Sequence, residues 1–590
     1  MTLLAGIWHR HRQAIPAHLS VALDAALSRS PTDPRQRFDA PGVHLAKIDI
    51  AAFAAPAWSA DENPDARAVT LVAGEPLLET AEGASARSRD RDTDDLHQAL
   101  RRSDLSLFGA CHGQFALAHY SQDDHRLVLA TDLLGVRPLY IGWIDEFLVF
   151  AGAMRVLLAM PGMAPQLDAR GATEALLLKA PLHGRSIYRG VRLLGAAECV
   201  SCTPEGDSSH VVQRWDDVPV GFTSRRSAVD ALHAAFGAAV HRRARDDQAT
   251  AAFLSGGLDS RIVVTSLRSA GLRVRTLNFS LEGSIDHAVG QLFGAAARTT
   301  HESHPYHAGL DDAYPDMASR ALARPAADGL QPERPALVWA GFGGSALVGQ
   351  VNVWPEYLEH CRAGNPDAAA DAYIHRKGAV VPGRLFRKVH RRELASATRD
   401  GIRAELARLR PDDPGRLMDL YLLTNATRAQ LHSYFDVIDL CRLEHQLPFF
   451  DSAFVRTALG IPIDWLQRHD LYHQWLQAFD PVVTAVPWQA YPGHLPCPLP
   501  LPAGARPQWQ IAADRGFRRQ ALRRASLKLL KGPLPFDFLD RAYVATVSVA
   551  QLAGVSRYGY AIAAANSYVG WWKDTGCRPV PLAPPLEAAA

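Results

Sequence analysis

Nowhere in its 590 residues does the sequence carry an apolar run long enough to cross a bilayer, so no membrane span is expected. The opening Met1-Thr2-Leu3-Leu4-Ala5-Gly6-Ile7-Trp8 lacks the basic start and long apolar core of a secretory signal. Cysteine is scarce. The 7 present, an odd number scattered along the chain, argue against a disulfide framework and fit a reducing cytoplasm. Cys199 and Cys202 form one C-x-x-C, but no second pair or histidine ladder accompanies it, so it reads as two small residues on a strand or turn. Neither sign of charge is in excess: 63 Lys and Arg face 61 Asp and Glu, and nothing calls for a nucleic-acid partner.

What is there begins with length, enough for two or three domains. The most informative stretch is Phe253-Leu254-Ser255-Gly256-Gly257-Leu258-Asp259-Ser260. An apolar run, 251–254, predicts a buried strand, and 261–270 predicts a helix stopped by Gly271. A strand that turns through two glycines into a helix start is an anion site. The backbone approaches closely, free N–H groups point outward, and the helix dipole favours negative charge. Ser255 and Ser260 add hydroxyl donors. Asp259 would repel phosphates, and makes sense as a ligand for Mg²⁺ bridging them. The plainer alternative is a flexible turn with Asp259 as a helix cap.

S-G-G-x-D-S in this setting resembles the loop of synthetases that cleave ATP to AMP and pyrophosphate, in particular the asparagine-synthetase superfamily. The resemblance extends along the chain. Asp132, Gly135, Pro138, Leu139, Tyr140, Phe150 and Ala151 match the pattern D-x-x-G-x-x-P-L-Y followed by F-A-S-E of the family's glutaminase domain. Phe115–Tyr120 and Arg126–Ala130 are expected to pair as strands across the polar turn 121–125. The chemistry of that domain is not kept. The family start C-G-I aligns with Ala5-Gly6-Ile7, and its glutamine-binding N-G-E with Ala73-Gly74-Glu75. A glutaminase of this type needs a thiol on its first residue. Thr2 is a possible nucleophile but out of register, so no glutaminase activity is expected.

In the second half, Arg273–Ser280 falls where the family contacts adenosine, and Asp286 matches the family's D-E-x-x-A. The second Gly-rich motif, S-G-x-G-x-D-E-L-F-G in the family, reads Ala340-Gly341-Phe342-Gly343-Gly344-Ser345-Ala346-Leu347-Val348-Gly349. The glycines keep their spacing, but Ser345 stands where the family has a second magnesium ligand. Either water or another carboxylate, Glu356 or Glu359, fills that place, or catalysis is impaired. Glu444, Pro448, Phe449 and Asp451 match E-x-R-x-P-F-L-D, with Gln446 for the arginine. Glu444 either orients catalytic groups or forms a structural ion pair. Arg428, on an expected helix 417–437, either faces the nucleotide or makes a surface salt bridge. The family's lysine in K-x-L-L-R is absent from Arg468–His473, with His469 nearest.

The resemblance implies an α/β chain of four parts. A degenerate glutaminase sandwich of the N-terminal-nucleophile type covers 1–165 and a connector 166–225. A doubly wound parallel-sheet ATP-pyrophosphatase domain covers 226–480 and a C-terminal extension 481–590. It implies ATP and Mg²⁺ as cofactors. Leu254, Ser255, Gly256, Gly257, Leu258, Asp259, Ser260, Gly341 and Gly343 are the expected ATP ligands, with Asp259 on the metal and Asp259 and Glu444 catalytic.

The inert glutaminase, the missing lysine, the segment Val486-Pro487-Trp488-Gln489 and the long tail most resemble the lasso-peptide cyclases. These close an isopeptide ring in a ribosomal precursor peptide and work beside a leader peptidase and a leader-recognition protein. Asparagine synthesis from free ammonia and a non-catalytic pseudo-synthetase remain the alternatives. A basic run holding Arg515, Arg518, Arg519, Arg523, Arg524, Lys528 and Lys531 reads as a solvated helix face or as a surface for an acidic peptide.

Overall fold

The computed structural model describes residues 2–61, 68–79, 88–306, 314–377, 381–512, 515–534 and 538–574. The first half is built on two six-stranded sheets. In one, Thr2–His9 runs antiparallel between Val43–Asp49 and Phe147–Ala151. In the other, Phe115–Ser121 runs antiparallel between Ala68–Gly74 and Arg126–Thr131, the hairpin expected from sequence. The two-residue period of a strand sorts the first sheet's side chains. Leu4 and Trp8 pack with Leu71, Ala118 and Leu129 of the second sheet, while Leu3, Ala5 and Ile7 pack under the helix Ala17–Leu27. Both faces of Thr2–His9 are therefore buried, which is why it reads as a continuous apolar run. Helix Arg89–Arg101 covers the outer face of the second sheet through Leu96 and Leu100.

The expected connector is not one. Val191–Leu193 adds to the first sheet beside Tyr140–Ile144. Glu198–Thr203 adds to the second beside Arg126–Thr131, and Gly206–Val211 follows as its edge. The sandwich therefore reaches residue 211, with Val191–Leu193 and Gly206–Val211 as edge strands and Glu198–Thr203 paired on both sides.

The second half contains a five-stranded sheet, ordered Thr300–Tyr306, Arg273–Leu281, Ala249–Phe253, Leu337–Trp339, Glu444–Gln446, all parallel. The chain first builds outward from Ala249–Phe253 in one direction and then returns to build in the other. That reversal leaves a crevice at the carboxyl ends of Ala249–Phe253 and Leu337–Trp339, where a doubly wound sheet binds its ligand. Helix Leu258–Ser269 follows its strand as expected, and Ile285–Ala296 follows Arg273–Leu281. The expected helix 417–437 is broken: Leu417–Leu422 passes through a π-type turn at Leu423–Thr427 and runs on to residue 429, a turn at 430–431 interrupts it, and His432–Phe435 is helical again.

The tail is not an appendage. Residues 481–512 fold back along the crevice, and helices Arg515–Lys531, Arg541–Leu552 and Gly559–Asp574 pack on one another, with Tyr568 bonded to Thr173.

Candidate active site

The crevice holds a cavity of about 590 Å³. Leu254, Ser255, Gly257, Leu258, Asp259 and Ser260 form one wall, and Gly341 and Gly343 the facing one. Gly256 lies behind the wall: a Cβ there would sit 2.9 Å from the Asp286 backbone. Gly341 is forced by close approach, since its Cβ would lie 2.6 Å from the Ser260 nitrogen, and Gly343 by a φ of +94°. The two Gly-rich motifs are thus packed directly on each other. The S-G-G loop partly satisfies itself. Ser255 N–H donates to Ser260 Oγ at 3.0 Å, and Gly256 N–H to the Asp286 carboxylate at 3.1 Å. The first turn of helix Leu258–Ser269 opens onto the cavity with no side-chain cap.

Asp259 lines the cavity in this wall. Its Oδ1 accepts the hydroxyls of Tyr472, at 2.6 Å, and Ser345, at 2.7 Å, and its Oδ2 accepts the Ser345 N–H at 2.8 Å. Enclosure raises its pKa, and these three donors work against that rise. Ser345, where the resemblance calls for a carboxylate, therefore serves Asp259 as a hydrogen-bond donor. Neither Glu356 nor Glu359 lines the cavity. Oδ1 has both lone pairs in use and Oδ2 has one left. Asp259 thus fits a Mg²⁺ held otherwise by phosphate oxygens and water, and does not fit half of a two-carboxylate clamp. Among the described residues no group of three or more His, Cys, Asp or Glu could hold a metal by itself.

The run Arg468–His473 supplies Tyr472 where a lysine was sought. His469 does not replace that cation. It is 3% exposed, and burial, with His494 and His473 beside it, pushes its pKa down to about 3. Its Nε2 lies 3.2 Å from Ser345 Oγ and its Nδ1 2.8 Å from His494 Nδ1. Tyr472, Tyr491 and Gln508 were not foreseen; no motif marks them, and they reach the site only through the fold.

Glu444 is elsewhere. Its carboxylate accepts Arg137 Nη2 at 2.5 Å, Thr2 N–H at 2.7 Å and Thr2 Oγ1 at 3.0 Å. Burial would raise its pKa, but the Arg137 guanidinium holds it below the usual carboxylate range. Of the two roles open to it, the structural ion pair is the one formed, and its expected catalytic role is withdrawn. It joins the parallel sheet to the sandwich. Gln446 donates to Glu75 at 2.7 Å, and Arg245 pairs with the same carboxylate. Arg428 faces neither nucleotide nor solvent; it is buried against the Gly135 and Leu194 carbonyls at 3.2 Å. The space left among Glu75, Gln114, Arg137 and Glu444 is about 10 Å³, room for one water. Ala5 is enclosed mid-strand between Ala46 and Ala151. Burial raises the thiol pKa of Cys111, Cys199 and Cys202, so none is an activated nucleophile.

Comparison with known proteins agrees with this division. Residues 78–215 match the family described as glutamine amidotransferase domain, and residues 231–328 match asparagine synthase. In these two regions the chain is similar to the asparagine-synthetase superfamily. Among curated members, asparagine synthetase [glutamine-hydrolyzing] 3 of Bacillus subtilis (strain 168) is 27% identical over 154 residues, 26% of this chain and 25% of that one. A putative asparagine synthetase [glutamine-hydrolyzing] of Mycobacterium tuberculosis (strain ATCC 25618 / H37Rv) is 26% identical over 275 residues, 43% and 42% of the two chains. The matched stretches thus span a quarter to about two fifths of these relatives. A solved structure of the allosteric regulatory enzyme of purine biosynthesis overlaps at 11% identity and a TM-score of 0.25, over 51% of this chain and 80% of that one. In this asparagine-synthetase-like chain the amidotransferase match ends at residue 215, beyond the last sandwich strand at Val211. No helix among the described residues is long and apolar enough to cross a membrane.

Proposed function

We propose that this chain is an ATP-dependent carbon–nitrogen ligase that transfers AMP to a carboxylate and passes the acyl group to an amine, with release of pyrophosphate and AMP. The carrying observation is the cavity between the S-G-G loop and the second Gly-rich loop at the sheet's reversal point. The open helix start and the hydroxyls of Ser255 and Ser260 would receive the phosphates, Leu254 and Gly341 would flank adenosine, and Asp259 would hold Mg²⁺. When bound, Mg²⁺ would neutralise charge on the departing pyrophosphate.

The finer reading is macrolactam closure. The carboxylate is an Asp or Glu side chain of a precursor peptide and the amine is that peptide's own N-terminus, as in lasso-peptide cyclases. Supporting it is the region aligned with the family's glutamine site, where Ala5 stands in place of the thiol and the space among Glu75, Gln114, Arg137 and Glu444 is about 10 Å³. Holding both peptide groups together is then the enzyme's main contribution. A leader peptidase and a leader-recognition protein would be its partners in the cytoplasm.

The test is co-expression with a short precursor gene and protease, read by mass spectrometry. The reading expects a peptide lighter than the linear core by one water, lost in Asp259→Ala. Linear core alone, from a soluble ATP-binding protein, favours the pseudo-synthetase, whose support is the hydrogen-bonded Asp259–Ser345 pair. Glutamate released from glutamine above background would overturn the assignment of an inert glutaminase.

A further inference from the structure

Three arginines are among the largest fully enclosed side chains: Arg89, Arg243 and Arg261. Two have a carboxylate against them, Asp49 for Arg89 and Asp451 for Arg243. Arg261 has none among the described residues. Its Nε donates to the Gly257 carbonyl at 3.1 Å. Its Nη1 donates to Val483 and Val486, at 3.0 and 3.1 Å, and its Nη2 to Pro487 at 2.9 Å. Its faces lie against the rings of Phe293 and Trp488, at 4.8 and 5.8 Å. Every acceptor is a neutral carbonyl. The carboxylate nearest in sequence, Asp259, is bonded instead to Ser345 and Tyr472.

A buried charge without a counterion is costly, and a folded protein keeps one only when something else offsets it. Arg261 lies directly behind the loop that forms the cavity wall, but is not itself part of that wall. A guanidinium keeps its proton in a folded protein, so the charge persists at neutral pH. Its bond also has a geometric consequence. Gly257 C=O is drawn backward by Arg261, and Gly256 C=O by the Gln489 N–H at 3.0 Å. In a trans peptide the N–H points opposite to the C=O. The first bond therefore turns the Leu258 N–H toward the cavity side, while the Gly257 N–H donates to Ser255 Oγ at 3.2 Å.

We propose that Arg261 is a positioning residue whose missing counterion is the polyphosphate of the ligand: it fixes the outward Leu258 N–H at the helix start and lends the pyrophosphate site a positive field from behind. This rests on the ATP-dependent reading of the cavity. The segment Val486–Gln489, set apart by sequence, then has a definite task. It clamps the guanidinium against the loop and excludes water from it, which keeps the field unscreened.

Calorimetric titration in magnesium buffer with adenosine, AMP, ATP and inorganic pyrophosphate tests this, alongside thermal melting. Arg261→Gln keeps amide donors and loses the charge; Arg261→Lys keeps the charge and loses the fork. The Gln variant is expected to bind adenosine as the parent does, and ATP and pyrophosphate roughly tenfold or more weakly. The Lys variant is expected to melt lower yet keep the parent's ratio of ATP to adenosine affinity within about threefold. A purely structural role would weaken all four ligands alike. An unchanged ATP-to-adenosine ratio in folded Arg261→Gln overturns the proposal. If that variant does not fold, a collapsed ratio in Arg261→Lys, or a parent that binds ATP but gains no melting temperature from pyrophosphate, overturns it equally. A parent that binds no ATP overturns the functional reading itself.

Discussion

Asp259 and Glu444 are both enclosed carboxylates, both sit beside strands of the same parallel sheet, and both carry a family motif. Yet one faces a cavity of about 590 Å³ and the other a space of about 10 Å³. Asp259 is surrounded by neutral donors, so its charge is available to a ligand. Glu444 is opposite a guanidinium, so its charge is already spent. The difference teaches that burial and motif do not make a carboxylate functional. What matters is whether its partner is already in the protein.

The contrast can be broken most forcefully at Glu444. Replacing it with Gln leaves Arg137 buried without a counter-charge, at a cost of roughly 3–5 kcal/mol. Urea unfolding should register that loss, while the nucleotide affinity of the folded fraction stays unchanged. A loss of nucleotide affinity without a loss of stability would return Glu444 to the active site.

Next in size is Asp259→Asn. It should lower ATP–pyrophosphate exchange by about a hundredfold, as removal of a preorganised charged group does. The melting temperature should move far less than in Glu444→Gln. Equal effects on both quantities would erase the distinction drawn here.

Acid sharpens the comparison. Glu444 and Asp451 both have pKa values held below their ordinary 4.5 and 3.8: burial works against this, and Arg137 and Arg243 prevail. A depressed folded pKa means stability fully present above the unfolded value and lost as pH falls through the folded one. Unfolding measured below pH 4.5 should therefore show the junction between the halves weakening, and Glu444→Gln should flatten that slope. The smallest effect is expected of Ser345→Ala. It removes one hydroxyl from Asp259 and should slow exchange by about tenfold or less. Ser345→Asp should lower the melting temperature without Mg²⁺ and recover with it, because two carboxylates at hydrogen-bond distance repel until a cation lies between them.

Much of the cavity wall was legible because it is local. A strand, two glycines and a helix start determine their own backbone, and the spacing Gly341–Gly343 marks a second loop of the same kind. Legibility failed where the partner is remote in sequence. Nothing near Glu444 announces Arg137, 307 residues away, and nothing near Asp259 announces Tyr472, 213 residues away. The run Arg468–His473 was searched for a lysine, whereas the fold uses its tyrosine. The strands between 191 and 211 passed for a connector because their partners, Arg126–Thr131 and Tyr140–Ile144, lie some fifty residues or more back in the chain.

By itself, then, the sequence determined the local chemistry: a loop shaped for an anion, no thiol at Ala5, and a serine where a carboxylate was expected. Short-range backbone geometry and side-chain identity decide such things, and both are written residue by residue. Which charges remain free for a ligand was decided only by the tertiary structure. A charge is neutralised by whatever the folded chain brings within a few ångströms, and for Glu444, Asp259 and Arg261 those neighbours come from distant parts of the chain.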